Sequence, residues 1–249
     1  DSAVINAVIA ATGTVDISVS RNIVVNSGSS ITTTTGDITL TANRGMSAVT
    51  GDFDGIYIDN ATVTATTGNI TLDARSGNTA SDDAIELEGA TIETTGAGSG
   101  TITLNGDGVT GGDDGLDIYD GTVVRSVDGA IQLTGNSVDS EGVIIETGAD
   151  VISTGIATIT INGTVSGAAG TDAVFLDDAG TTITSVDGNI SITGITSGSG
   201  SFAYGIQMET GVVVRSTGTA QVILDGTSSN GDGIATFETG SLITSVDGN

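Results

Sequence analysis

The sequence predicts an all-β fold: a right-handed parallel β-solenoid of about eight coils, with about 30 residues and three short strands in each. Three observations carry the prediction. A pattern recurs at near-constant spacing, apolar and polar residues alternate inside each copy, and none of the 249 residues is a proline. A strand proline removes a ladder hydrogen bond, so its absence suits a chain made mostly of paired strands.

The first strand of each coil is marked by an acidic residue, a small residue and then alternating apolar positions. The copies read D-G-I-Y-I-D at Asp54–Asp59, D-A-I-E-L-E at Asp83–Glu88, D-G-L-D-I-Y-D at Asp114–Asp120 and E-G-V-I-I-E at Glu141–Glu146. They continue with D-A-V-F-L-D at Asp172–Asp177, Y-G-I-Q-M-E at Tyr204–Glu209 and D-G-I-A-T-F-E at Asp232–Glu238, and a degenerate copy, N-I-V-V-N, starts at Asn22. Their first apolar residues, Ile23, Ile56, Ile85, Leu116, Val143, Val174, Ile206 and Ile234, are spaced 33, 29, 31, 27, 31, 32 and 28 residues apart.

A second strand is expected around Ile31, Val63, Ile92, Val123, Val151, Ile183, Val213 and Leu242, usually followed by Thr or Ser. The third alternates strictly: Ile38/Leu40, Ile70/Leu72, Ile102/Leu104, Ile131/Leu133, Ile159/Ile161, Ile190/Ile192 and Val222/Leu224. Alternation of β-branched residues bounded by Gly, Asn, Asp and Ser means strands rather than helices. Glycine turns precede the third strand, T-T-G-D around Thr35, T-T-G-N around Thr67 and V-D-G at Val127, Val186 and Val246.

A single coil cannot be stable. Burying one inward aliphatic contributes roughly 2 kcal/mol, whereas ordering each residue costs ~1 kcal/mol or more. Stacked coils, ~4.8 Å apart, share continuous Ile/Val/Leu ladders. An antiparallel sandwich needs no apolar residue at the same place in every coil, and propeller blades need longer units. Coil length varies mainly between the third strand and the next first strand, from 10 residues (Leu133 to Val143) to 16 (Leu40 to Ile56), which makes that edge the tolerant one.

Residues 1–21 are expected to form an incomplete N-terminal coil. Val8, Val15 and Ile17 have the spacing of second and third strands, with too few residues ahead of them for a full first strand. Residues 22–249 form the repeat array, and Asn249 aligns with Asn189 ahead of a third strand, so the last coil is expected to be unfinished. Two readings of such ends compete: excision from a longer array, or a subunit that stacks on further copies through a heterologous contact that builds a filament.

Composition removes whole classes of function. The chain has no histidine and no cysteine, so Ser/His/Asp and Cys/His nucleophiles, N/S-type zinc sites and disulfides are excluded. Its net charge of −26, with 31 acidic residues against 5 arginines, repels nucleic acid and anionic lipid. No apolar run approaches the ~18 residues of a membrane span. At 3% aromatic content the core must be built from small aliphatics.

The phrases I-T-T-T-T-G-D-I-T-L-T-A (Ile31–Ala42), V-T-A-T-T-G-N-I-T-L-D-A (Val63–Ala74) and I-T-S-V-D-G-N-I-S-I-T-G (Ile183–Gly194) resemble the strand repeats of large secreted bacterial surface proteins of the filamentous haemagglutinin and giant adhesin type. The resemblance runs from about residue 22 onward. It implies a right-handed β-helix, an extracellular or cell-surface location, and a role as stalk, fibre or adhesive surface, with the chain itself, flanking repeats, or a host or neighbour-cell glycan as partner. The N-terminal secretion domain of that family is not seen in the sequence.

Two acidic columns flank the first strand. Asp54, Asp83, Asp114, Glu141, Asp172 and Asp232 precede it, and Asp59, Glu88, Asp120, Glu146, Asp177, Glu209 and Glu238 follow it. Stacked carboxylates repel by roughly 1 kcal/mol per neighbour in water. Either Ca²⁺, a hard cation with oxygen ligands, offsets that repulsion, or the acids are solvated turn residues screened by salt. The candidate Ca²⁺ ligands are Asp54, Asp59, Asp83, Glu88, Asp113, Asp114, Asp120, Glu141, Glu146, Asp172 and Asp177; Asp113 enters because G-G-D-D-G-L-D-I-Y (Gly111–Tyr119) is similar to a single Ca²⁺-binding nonapeptide of RTX proteins.

No catalytic residue is assigned. Arg125 and Arg215 occupy equivalent V-V-R-S positions three coils apart, ~14 Å at the strand spacing, and read as outward charges moderating the acidic face. The competing class is a carbohydrate-binding or carbohydrate-cleaving β-helix of the pectate-lyase kind, in which arginine and Ca²⁺ serve an acidic sugar. Acids spread evenly along the axis speak for a surface over an active site. A flat threonine array for ice binding is disfavoured because the outward positions mix Thr with Asp, Ser, Gln and Asn.

Overall fold

A computed structural model describes residues 1–47, 49–79, 82–167, 170–197, 200 and 202–246. The expected V-D-G turn at Val246 and the terminal Asn249 run beyond or lie outside the described residues. Among those described, the chain forms 26 strands and no helix. The strands sort into three parallel sheets of nine, nine and eight, each taking every third strand in chain order, which is a β-solenoid with three strands per coil.

The register is continuous along the axis. In the first sheet Ile23, Ile56, Ile85, Leu116, Val143, Val174, Ile206 and Ile234 pair in succession, as the repeat alignment predicts. The third sheet pairs Ile38, Ile70, Ile102, Ile131, Ile159, Ile190 and Val222. Most of these side chains have no solvent exposure at all, so the core is a set of aliphatic columns running along the inside of the coil.

The second sheet corrects the reading at four coils. The inward column runs Ile9, Ile31, Val63, Ile92, Val124, Val151, Ile183, Val214 and Ile243, one residue beyond the expected Val8, Val123, Val213 and Leu242. Each of those coils carries two adjacent apolar residues, so alternation alone does not say which faces inward, and a one-residue slip exchanges the faces. Val124 and Val214 are fully buried, whereas Val123 and Val213 are only partly covered.

The amino-terminal stretch is a further correction. Ala3–Ile5 forms a three-residue strand that pairs with Ile23–Val25, ahead of strands Val8–Ala11 and Val15–Val19, so all three sheets receive a rung. Three residues suffice because a rung need only continue an existing ladder.

The three corners differ in chemistry. After the first strand the chain turns through left-handed residues, among them Gly28, Asn60, Gly89 and Asp120. Where the third sheet hands over to the next coil, the backbone of one segment lies against another: a Cβ on Gly163 would sit 1.7 Å from the Ala173 carbonyl oxygen. Gly135, Gly194 and Gly226 repeat that contact in their own coils. The longer loops are tied down by specific contacts. Arg21 lies 4.4 Å from the Phe53 ring centroid, and Arg44 bridges Asp73 and Asp107.

Candidate functional site

Because strand residues alternate, each first strand turns its middle residue away from the core, between the two flanking columns. The outward row of the first sheet is therefore Val24, Tyr57, Glu86, Asp117, Ile144, Phe175, Gln207 and Ala235. This row supplies Glu86 and Asp117, two acids that belong to neither flanking column. Alternation within D-A-I-E-L-E and D-G-L-D-I-Y was the signal that could have found them.

The leading column is a hydrogen-bond ladder. Asp54 Oδ1 accepts the Asp83 backbone N–H at 2.9 Å, Asp83 Oδ1 that of Asp114 at 2.9 Å, and Asp114 Oδ1 that of Glu141 at 2.8 Å. Asp172 Oδ1 does the same for Tyr204 at 2.7 Å. These carboxylates occupy the positions just before pairing begins, where a backbone N–H of the next rung needs an acceptor. The acids of this column thus have a structural task that neither expectation contained, since they are more covered than solvated turn residues would be.

Burial also makes their charge costly. It lifts Asp54 to about 6, with help from the charge of Glu86, and Asp83 to about 9, with help from Asp114. Asp114 rises to about 7, again chiefly through burial, with the neighbouring Glu141 adding to it and hydrogen bonds from Ser140 and the Glu141 backbone working against it. Asp117 reaches about 8 through burial and the charges of Asp114, Glu146 and Glu86. Donor oxygens of Asp54, Asp83 and Glu86, and of Asp83, Asp114 and Asp117, lie within 4.8 Å of one another. Asp117 Oδ1 is buried without a hydrogen-bond partner.

The trailing column is less uniform. Glu88 falls level with Asp59, but the next residue in register is Tyr119, not Asp120, and Phe237 takes the place of Glu238 beside Glu209. In both coils an aromatic residue fills the position that the acid was expected to hold. Asp120 and Glu238 instead have positive φ, 53° and 64°, and belong to the turn. Asp59 accepts from Asn60 Nδ2 and Asp177 from the Asp178 N–H. Glu146 continues the column and is pushed up by burial and by Asp178 and Asp177. Tyr57 donates to Glu88, and Tyr119 donates to Glu86 Oε1 at 2.6 Å, so two tyrosines rest on the acids.

Asp113 stands apart from this face as a fully buried brace. Its Oδ2 accepts Ser76 Oγ at 2.8 Å, Thr110 Oγ1 at 2.7 Å and the Thr110 N–H at 3.1 Å, while Oδ1 accepts the Asp82 N–H at 3.1 Å. All those donors are already committed, and the nonapeptide-like segment serves loop closure. Arg125 and Arg215 are in register three rungs apart on the second sheet, and Arg125 pairs with Glu93 of the preceding coil.

Further along the first sheet the face changes character. Gly170, Asp172, Phe202, Tyr204, Gln207, Glu209 and Phe237 line an open cleft of about 400 Å³. Comparison with protein-family models, with curated proteins and with solved structures finds no match for the chain, so its likeness to surface-protein repeats rests on the sequence phrases alone.

Proposed function

We propose that this chain is a non-enzymatic structural or adhesive segment of an extracellular stalk or fibre. The observation that supports this most directly is the continuous register of three parallel sheets, a ladder that accepts another rung at its edge strands. The next rung comes from flanking repeats or from a second copy, and a surface glycan is the further partner class. A carbohydrate-cleaving β-helix would gather carboxylates and an arginine in one cleft. Acids distributed by rung, and a cleft lining without arginine, favour the scaffold. Electron microscopy of the purified chain tests self-stacking: rods or filaments that lengthen with protein concentration are expected, and particles that stay strictly monomeric would overturn it. Release of reducing ends from an acidic polysaccharide would overturn the non-enzymatic reading.

The same proposal includes Ca²⁺ bridging rungs at Asp54, Asp83 and Glu86 and at Asp83, Asp114 and Asp117. Clustered hard oxygen donors with mutual repulsion support it, as does the unpaired Asp117 oxygen. A thermal midpoint several degrees higher in Ca²⁺ than in chelator is expected. An identical midpoint in the two removes the ion from the proposal.

A further inference from the structure

The aromatic cleft is chemically unlike the rest of the acidic face. The Tyr204 and Phe237 rings lie 5.3 Å apart between centroids at 56°, forming two tilted walls. Phe202 is 74% exposed beside them, an unusual position for a phenylalanine in a chain with so few aromatics. Two carboxylates complete the lining. Asp172 is 7% exposed and anchored by the Tyr204 N–H, while Glu209 accepts from the Gln207 amide. No basic residue lines the cleft.

That combination selects a ligand class. Aromatic faces carry negative quadrupole density, and an organic cation placed over them within about 6 Å gains further when a carboxylate is close by. An anion is repelled by Asp172, Glu209 and the nearby Glu141, Asp177 and Glu238, whose charges act on the two lining acids. A neutral sugar could stack on the rings but would leave the negative field uncompensated. A metal ion would make no use of the rings. We propose that the cleft formed by Asp172, Phe202, Tyr204, Gln207, Glu209 and Phe237 binds an organic cation, an alkylammonium or guanidinium group resting against the paired Tyr204 and Phe237 rings and held by Glu209 and Asp172.

The ring-plus-carboxylate chemistry is shared by a free quaternary amine and by a basic side chain of a partner protein, so the test carries both. At pH 8, where Asp172, raised by burial to about 7, is ionised, the full chain is titrated with choline, with N-acetyl-arginine methylamide, with the neutral choline isostere 3,3-dimethyl-1-butanol and with glucose. Backbone amide shifts of Tyr204, Gln207, Glu209 and Phe237 report binding. Saturable shifts with at least tenfold tighter binding of one cation than of either neutral probe are expected, and the preferred cation identifies the source. Phe237→Leu should weaken binding tenfold or more. The isosteric Glu209→Gln, which leaves the rings and the fold in place, should weaken it severalfold and abolish most of its salt dependence. Equal affinity for choline and its neutral isostere, preference for glucose, or unchanged cation binding in Glu209→Gln and Phe237→Leu would each overturn the proposal.

Discussion

Replacing Asp117 by asparagine isolates the cost of charge on the first sheet. The change keeps the shape and one acceptor oxygen and replaces the ionisable oxygen with an uncharged amide NH2. In the fold the Asp117 carboxyl is held at about 8, above its ordinary 3.8, because it is largely buried and faces Asp114, Glu146 and Glu86. A group whose folded value is raised binds its proton more tightly in the native state. Its contribution is therefore fully present below about pH 4, declines as pH rises, and is lost once pH passes about 8.

The magnitude follows from linkage. From pH 4 to pH 7 the native state retains a proton that the unfolded chain has released, at ~1.4 kcal/mol per pH unit, which sets an upper bound of about 4 kcal/mol. Partial solvent access and sharing of protons with Asp83 and Asp114 reduce this to about 2 kcal/mol. For a chain of this size, 2 kcal/mol corresponds to roughly 4–8 °C in midpoint. Thermal unfolding followed by circular dichroism in chelator, at pH 4.5, 6, 7 and 8, is the assay. Asp117→Asn should match the parent at pH 4.5 and exceed it increasingly toward pH 8. A gap independent of pH, or a variant less stable than the parent at pH 8, would refute the account of buried, mutually repelling carboxylates.

Other substitutions separate the remaining forces. Asp83→Ala should be less stable than Asp83→Asn by about 1 kcal/mol, because only asparagine still offers the Asp114 N–H an acceptor; equal urea midpoints would remove the ladder role. Gly163→Ala should destabilise by about 3 kcal/mol, the upper end of the ~1–3 kcal/mol range of overpacking, since its Cβ would meet backbone that neighbouring rungs hold in place, and a normal melting curve would contradict the corner geometry. Arg44→Ala, which strips a half-buried bridge to Asp73 and Asp107, should cost about 2 kcal/mol, against about 0.5 kcal/mol for Arg125→Ala at a side chain 46% exposed; the reverse order in denaturant melts would contradict it.

Much of the fold is legible in the sequence because a solenoid repeats its constraints. Ile56, Ile85 and Leu116 each face the same interior, so the apolar period appears seven times over and survives the irregular loops between copies. Legibility fails where the local pattern is degenerate. V-V-R-S permits either valine to face inward, and packing against Ile92 and Val151 decides for Val124. It fails again where a short strand relies on its neighbour, as Ala3–Ile5 does on Ile23–Val25. The acidic columns were visible, but their ladder role was not, because spacing cannot show which backbone N–H lacks a partner. The cleft was hidden more completely: Tyr204 and Phe237 lie 33 residues apart on opposite flanks of paired strands, and only the register brings their rings together.

The division of labour within one strand bears on where specificity lies. Inward positions of the inner rungs are Ile, Val, Leu or Met, because each must fit between aliphatic neighbours ~4.8 Å above and below, and only the end rungs depart from this, with Ala3 and Thr236. The outward row of the same sheet carries Tyr57, Glu86, Asp117, Ile144, Phe175, Gln207 and Ala235, no two alike. Nothing in ladder geometry restricts that row, so each rung can change its surface chemistry without disturbing the core. Acid-on-acid contact accordingly concentrates in the rungs of Glu86 and Asp117, where an outward carboxylate meets the ladder carboxylates. It gives way to exposed rings from Phe202 onward. A face composed rung by rung can therefore hold a carboxylate-rich stretch and an aromatic cleft side by side. The two should respond independently: Asp117→Asn should leave choline binding at the Tyr204–Phe237 cleft unchanged, and a shift of more than threefold would show that the rungs between them transmit charge or strain along the sheet.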